Sequence, residues 1–251
     1  MAMDRIPLIF DIKRTSTVDG PGVRTAVFLK GCNLDCFWCH NPEGKHCEAE
    51  MAWFEEKCLS CGTCQREGMT ENARAEHCPA QALKRYGSAY TEEELFDILM
   101  ADRDFYLATG GGVTFSGGEC MLYPEFVARM AKRCREHGIS VAIDTAGNVP
   151  YAHFELVLPY TDLFLYDIKA LDDALHRRGT GVGNALILDN LARLQAAGKE
   201  ILIRIPCIPD FNAGDEVDRI CLYCNDRGLP YEVLSYHRFG EDKARALKHR
   251  T

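Results

Sequence analysis

The feature that most constrains the fold is an alternation of short apolar runs with longer helical segments. Six runs rich in strand-forming residues are predicted as strands, at residues 23–30, 113–115, 139–143, 163–168, 201–205 and 231–234. Helices are predicted at residues 92–101, 124–137, 185–197 and 215–227. Such alternation predicts parallel β/α units. Because six units are too few for a closed eightfold barrel, the predicted fold is α/β, an open partial (β/α)6 barrel.

Polar or glycine-rich motifs follow the predicted strands. A cysteine loop follows the first strand, Ser116-Gly-Gly-Glu119 follows the second, and Asp144-Thr145 follows the third. Asp167-Ile-Lys169 and Ser235-Tyr-His237 end later strands. Functional residues of parallel β/α barrels gather at the C-terminal ends of the strands, so these motifs are predicted to share one active face.

The cysteine loop contains Cys32, Cys36 and Cys39 in a C-x3-C-x2-C pattern. A closed electron-transfer cluster of the four-iron type is held by four thiolates. Three thiolates leave one iron with an open position, which is typical of metal chemistry rather than metal structure. A zinc site remains an alternative on spacing alone, because a second cysteine-rich run occurs downstream.

That second run lies in residues 43–90, which interrupt the alternation and are predicted to be a small insertion. The rest of the chain, residues 1–42 and 91–251, is predicted to form the barrel. Cys58, Cys61, Cys64 and Cys78 resemble a ferredoxin cysteine run, although Gly68 stands at the spacing of its fourth cysteine. Four thiolates suit one closed cluster for electron transfer or structure, and zinc on the same cysteines remains open. Cys47 is interpreted as a spare thiol or an alternative ligand.

Several strand-end residues have side chains suited to a charged ligand. Glycines such as Gly118 let the backbone approach a ligand closely, and the Glu119 carboxylate can accept hydrogen bonds from an ammonium group. Asp144 and Asp167 can bind a cation or a sugar hydroxyl, and Lys169 can hold a ligand carboxylate. The alternative for Asp167 and Lys169 is a surface ion pair of little consequence.

Composition narrows the class of protein. The net charge of −8 makes nucleic acid an unexpected partner. No apolar stretch is long enough for a signal peptide or a membrane span, so a cytoplasmic location without membrane partners is expected. In such a compartment thirteen cysteines indicate metal binding or catalysis before disulfides.

Taken together, the motifs resemble those of the glycyl-radical enzyme activating enzymes, a branch of the radical S-adenosylmethionine (SAM) superfamily. The resemblance covers nearly the whole chain and is most specific at residues 19–41 and 111–119, with further matches at Asp144-Thr145, Asp167-Ile-Lys169 and Tyr236-His237. It implies an open (β/α)6 barrel with a ferredoxin-like insertion. It also implies an oxidoreductase that cleaves SAM to methionine and a 5′-deoxyadenosyl radical. That radical takes a hydrogen atom from a backbone glycine of a partner glycyl-radical enzyme.

The resemblance also implies roles for individual residues. The SAM-cleaving four-iron, four-sulfur cluster is expected on Cys32, Cys36 and Cys39. SAM is expected to contact Trp38, Cys39, His40, Gly118, Glu119, Asp167, Ile168, Lys169 and His237. A monovalent cation near SAM is expected at Asp144, Thr145 and Asp167.

Further expectations concern the insertion and the partners. One auxiliary cluster is expected on Cys58, Cys61, Cys64 and Cys78. Relatives with such an insertion often carry two complete sets of four cysteines, whereas this chain has one. Flavodoxin or ferredoxin is the expected electron donor. The insertion favours a diol dehydratase, a decarboxylase or a C–S or C–N lyase over pyruvate formate-lyase as the partner. The alternatives are a radical SAM enzyme acting on a small molecule or another peptide, and, from a different class, an electron carrier or a zinc-binding adaptor.

Overall fold

The computed structural model of the chain describes residues 6–248. Its strands are β1 (Ile9–Ser16), β2 (Arg24–Leu29), β3 (Glu50–Trp53), β4 (Leu83–Tyr86), β5 (Gly112–Gly117), β6 (Ser140–Thr145), β7 (Leu163–Asp167), β8 (Glu200–Cys207) and β9 (Tyr231–Ser235). Its helices are α1 (Glu71–Glu76), α2 (Glu92–Met100), α3 (Arg103–Thr109), α4 (Pro124–Glu136), α5 (Tyr151–Val157), α6 (Asp173–Thr180), α7 (Ala185–Ala196), α8 (Asp215–Asp226) and α9 (Phe239–Lys248).

The main sheet has seven strands in the order β1-β2-β5-β6-β7-β8-β9. The six strands from β2 to β9 in this order run parallel, which confirms the predicted β/α architecture. Strand β1 pairs antiparallel with β2 and was not predicted, because five of its eight residues are polar and only three are buried. Among the described residues, β1 and β9 are the two edges of this sheet, so the barrel is open.

The predicted helices begin and end near the capping residues that mark their ends in the sequence. Thr91 and Glu94 make a reciprocal capping box at the start of α2. Helix α4 buries Phe126, Val127, Met130 and Cys134 against the sheet and is followed by Gly138, whose φ is +73°. Helices α1, α3, α5, α6 and α9 were not predicted, since they are short or carry few apolar residues at helical spacing.

The cysteines outside the two clustered runs behave largely as small buried side chains. Cys120 and Cys134 are fully buried, and Cys224 is buried on the inner face of α8 with Cys221 beside it in the same helix. Cys207 is half-buried at the end of β8. None of the thirteen cysteines, all of which lie within residues 6–248, forms a disulfide.

The insertion shares a small apolar core with β1 and α9. Strands β3 and β4 pair antiparallel, and Ala52, Phe54 and Tyr86 in or next to them pack with Phe10 of β1 and Ala246 of α9. The strand pair is also joined to the end of β2 by a buried ion pair, in which Lys30 Nζ lies 2.9 Å from a Glu50 carboxylate oxygen. The insertion is therefore tied to the strand that leads into the cysteine loop. The division of the chain into barrel and insertion domains remains a prediction.

Within residues 6–248, no helix is both long and apolar enough to cross a membrane. The first five residues, which contribute to the expectation of no signal peptide, lie outside the described part of the chain.

Candidate active site

A cavity of about 470 Å³ opens at the C-terminal ends of the parallel strands. The sequence motifs at the C-terminal ends of β2, β5, β6 and β7 all contribute residues to its wall. The residues brought together there include Cys32, Cys36, Trp38, Cys39, His40, Lys45, Ser116, Gly117, Gly118, Asp144, Thr145, Asp167, Lys169 and Arg204. The structure thus places most of the predicted site residues around one space of a size typical for small-molecule and cofactor pockets.

Backbone hydrogen bonds fix the cysteine loop over this cavity. The Cys32 amide donates to the Lys45 carbonyl at 3.0 Å, and the Asp35 amide donates to the Thr180 carbonyl at 2.8 Å. Cys32, Cys36 and Cys39 are half-buried and line the cavity together. Burial raises the pKa of the Cys32 thiol to about 12 and that of Cys36 to about 11. A metal bound here must therefore displace three protons, as thiolate ligation requires.

Aromatic residues form the wall beside the cysteines. Trp38 is buried, and its ring centroid lies 4.3 Å from that of Phe211, in the loop after β8. Gly179 at the end of α6 leaves room for this pair, since a Cβ there would lie 2.4 Å from the Phe211 ring. Phe211 was not predicted from the sequence, because nothing in its local pattern distinguishes it from a loop hydrophobe.

The glycines after β5 allow two backbone segments to approach each other closely. A Cβ on Gly118 would lie 2.2 Å from the Gly31 carbonyl oxygen and 2.3 Å from that of Gly44. The Gly118 and Glu119 amides donate to the carbonyls of Leu29 and Gly31 at 2.9 and 2.7 Å. The glycine motif is therefore held directly against the residue that precedes Cys32.

Glu119 lies outside the cavity wall to which the preceding Gly117 and Gly118 belong. Its side chain is fully buried, and Oε1 accepts hydrogen bonds from the Met121 amide at 3.0 Å and the Thr145 hydroxyl at 2.7 Å. Oε2 accepts one from the Ala146 amide at 2.9 Å. The carboxylate thus joins the loops that follow β5 and β6, and its contact with SAM stays a prediction.

Burial raises the pKa of Glu119 to about 7, although its three hydrogen bonds oppose the rise. A carboxyl whose pKa is raised on folding stabilises the fold below its unfolded pKa, near 4.5, and loses that contribution as the pH rises toward 7. We therefore expect the unfolding free energy of wild type, relative to Glu119→Gln, to fall as the pH increases from 5 to 8. Denaturant unfolding of both proteins checks this, and a pH-independent difference would contradict it.

Two carboxylates near the ends of β6 and β7 each lie close to a cationic side chain. Asp144 Oδ2 accepts a hydrogen bond from the Ser116 hydroxyl at 2.7 Å and lies 3.4 Å from an Arg204 nitrogen. Lys169 Nζ lies 2.5 Å from Asp167 Oδ2. Burial raises the pKa of Asp144, which Arg204 opposes. Burial would lower the pKa of Lys169, but Asp167 and the cysteines more than compensate and raise it, so the lysine is charged.

Besides Glu119, two further predicted SAM contacts lie apart from the cavity wall. Ile168 is buried, and its amide donates to the Arg204 carbonyl at 3.0 Å. His237 is exposed beyond β9, with its ring centroid 6.5 Å from that of His40. Their contacts with SAM stay predictions.

The cysteines of the insertion surround a separate cavity of about 220 Å³. Its wall contains Cys58, Cys61, Cys64 and Cys78, with Trp53 beside them. Cys47 lies elsewhere, with its sulfur against Gly31. In residues 6–248, no three His, Cys, Asp or Glu side chains converge as ligands of a single metal ion.

The chain is similar to known proteins in its sequence and in its fold. The profile of the radical SAM superfamily matches residues 26–224. The isethionate sulfite-lyase activating enzyme of Nitratidesulfovibrio vulgaris is 37% identical over 94% of this chain and 86% of its own length. The choline trimethylamine-lyase activating enzyme of Oleidesulfovibrio alaskensis is 37% identical over 98% of this chain and 88% of its own.

Among solved structures, Streptococcus suis SuiB bound to its precursor peptide SuiA aligns with a TM-score of 0.57 at 15% identity. The alignment covers 88% of this chain and 40% of that one. At this identity the similarity shows a shared fold alone.

Proposed function

The chain belongs to the radical SAM superfamily, among the activating enzymes of glycyl-radical enzymes, and from this membership we propose the role of each site residue in forming the partner's glycyl radical. The observation that carries the proposal is the shared cavity at the ends of the parallel strands. Three cysteines of one loop line it together with Gly118, Asp167 and Lys169. The site for a cluster with one open iron and the site for a charged cosubstrate thus adjoin each other within one cavity.

The donor set fits a four-iron cluster with an open position. Within residues 6–248, Cys32, Cys36 and Cys39 are the cysteines that line this cavity, so the fourth corner is left to a ligand that is not a cysteine. When bound, the reduced cluster supplies one electron to the sulfonium of SAM, giving methionine and the 5′-deoxyadenosyl radical that takes a hydrogen atom from the partner's glycine.

The other residues bind and orient the cosubstrate in this proposal. Lys169, charged and nearly buried, holds the SAM carboxylate, while the backbone at Gly118 receives the methionine end. Asp144 and Asp167 bind the ammonium group or a monovalent cation. Trp38, backed by Phe211, forms an apolar wall that excludes water from the reacting end of SAM.

The insertion is proposed to hold one auxiliary cluster on Cys58, Cys61, Cys64 and Cys78. These four cysteines border one small cavity, and a closed set of four thiolates suits electron transfer or structural support. A flavodoxin or a ferredoxin is the proposed electron donor.

Iron analysis separates the two cysteine sets. Wild type, reconstituted without oxygen, is expected to contain about eight irons per chain, and Cys61→Ala about four, because four-iron clusters need their full ligand set. Cys47→Ala, which removes the spare thiol, serves as the matched control and is expected to keep about eight irons per chain. Zinc in place of iron in the wild-type insertion, or a loss of iron in Cys47→Ala, would contradict this assignment.

The partner can be tested with the glycyl-radical enzymes that the relatives are named for. Reduced protein and SAM are mixed with isethionate sulfite-lyase, choline trimethylamine-lyase or trans-4-hydroxy-L-proline dehydratase. A glycyl-radical signal in electron paramagnetic resonance, absent when the target glycine is replaced by alanine, is the expected result for the matching partner. Cleavage of SAM with no glycyl radical on any candidate would count against these partner classes.

A further inference from the structure

Lys45 lies beside the cysteine loop and contacts it at two places. Its carbonyl accepts the hydrogen bond from the Cys32 amide at 3.0 Å, and its Nζ forms an ion pair with Asp35, between Cys32 and Cys36. Lys45 also lines the same cavity as the three cysteines. The mechanism proposed above gives this lysine no task, since Lys169 holds the SAM carboxylate.

The two partners of this ion pair differ in their exposure to solvent. The Lys45 side chain is 26% exposed and that of Asp35 is 83% exposed. Water screens an exposed charge more strongly than a half-buried one, so the ammonium acts on the cluster site with less screening than the carboxylate. The field of the pair at the cysteines is therefore positive on balance.

The two partners also differ in their position relative to the cavity. Lys45 lines the cavity together with Cys32, Cys36 and Cys39, whereas Asp35 is not part of its wall. The ammonium therefore lies on the side of the pair that faces the cluster site.

We propose that Lys45 is a positioning and charge-balancing residue that raises the reduction potential of the cluster on Cys32, Cys36 and Cys39. This inference rests on the proposed function, because it assumes that cluster. Reduction adds one negative charge, and a cation held nearby stabilises the reduced form. The reduction potential of an iron–sulfur cluster is set in part by its net charge and hydrogen bonding.

The test is a potentiometric titration of the reconstituted protein without SAM, followed by electron paramagnetic resonance of the reduced cluster. It is carried out in the Cys61→Ala background, so that the auxiliary cluster does not contribute to the signal. Lys45→Met keeps the backbone and the apolar stem but removes the charge. At a fixed solution potential, we expect its ratio of reduced to oxidised cluster to fall about tenfold, which is 59 mV for one electron.

Three variants make the result specific. Lys45→Arg is expected to retain most of the wild-type potential, and Asp35→Asn to shift it upward, opposite to Lys45→Met. Lys132→Met, which removes the lysine of an exposed pair with Glu136 on α4, is expected to leave it unchanged. A structural effect of the Lys45 side chain would not reverse sign between Lys45→Met and Asp35→Asn.

The outcomes distinguish this inference from the proposed function. An unchanged potential in Lys45→Met with a full complement of cluster iron would overturn the role of Lys45 and leave the proposed function standing. A wild-type protein in the same background that assembles no reducible cluster on Cys32, Cys36 and Cys39 would overturn both.

Discussion

Cys36→Ala is expected to reduce the formation of 5′-deoxyadenosine to the level measured without protein. Two thiolates remain in the loop after this change, and a four-iron cluster that depends on three cysteines is not retained. The loss of iron is expected to be about four per chain, because the auxiliary set is untouched. The measurement is iron content together with chromatographic detection of 5′-deoxyadenosine after reduction in the absence of oxygen.

Cys134→Ala is the matched control for this experiment. Cys134 is fully buried in α4 and does not line the cavity, so removal of its thiol changes packing but not ligation. It is expected to keep both the iron and the SAM cleavage of wild type. Cys36→Ala protein that still cleaves SAM at the wild-type rate would show that this cysteine is not a ligand.

Gly118→Ala is expected to weaken SAM binding by up to roughly 100-fold, because a displaced backbone loses hydrogen bonding to a charged ligand, worth about 1.5–3 kcal/mol. The new Cβ would lie 2.2 Å from the Gly31 carbonyl oxygen and 2.3 Å from that of Gly44. Both atoms belong to the backbone, so no side-chain rotation relieves the contacts and the cysteine loop must move. The strain is expected to lower the unfolding free energy by about 3 kcal/mol.

Gly198→Ala provides the comparison for this prediction. Gly198 follows α7 with a φ of +69°, and a Cβ there would meet nothing within 4 Å. The cost is then only the left-handed backbone conformation, about 1–2 kcal/mol, with SAM affinity unchanged. Equilibrium binding of SAM to the reconstituted proteins and denaturant unfolding measure the two effects. Equal SAM affinity in Gly118→Ala and wild type would refute the close-approach argument.

The parallel part of the fold could be predicted from the sequence because its signals are local. Buried parallel strands such as β6 and β7 are continuous apolar runs, and the capping box at Thr91 and the glycine after α4 mark helix ends directly. Strand β1 could not be found this way, since it lies at an edge of the described sheet and five of its eight residues are polar. Helix α9 is defined by its packing on the insertion rather than by its own residues.

The site could be predicted to the extent that its residues lie in motifs. The cysteines, the glycine motif and the Asp144 and Asp167 carboxylates all follow strands, so the topology alone places them on one face. Phe211 enters the site from the distant loop after β8 and Lys45 from the segment just after the cysteine loop, and no local spacing marks either residue. The burial of Glu119 is a further result of tertiary packing, because its hydrogen-bond partners lie after β6 as well as β5.

The reaction of SAM with the reduced, cluster-loaded wild-type protein tests the central claim most directly. The protein is reconstituted without oxygen, reduced with a low-potential chemical reductant and mixed with SAM, and the products are separated by chromatography. The account predicts equal amounts of methionine and 5′-deoxyadenosine, formed only after reduction. Protein with a full complement of iron on Cys32, Cys36 and Cys39 that forms no 5′-deoxyadenosine would contradict it.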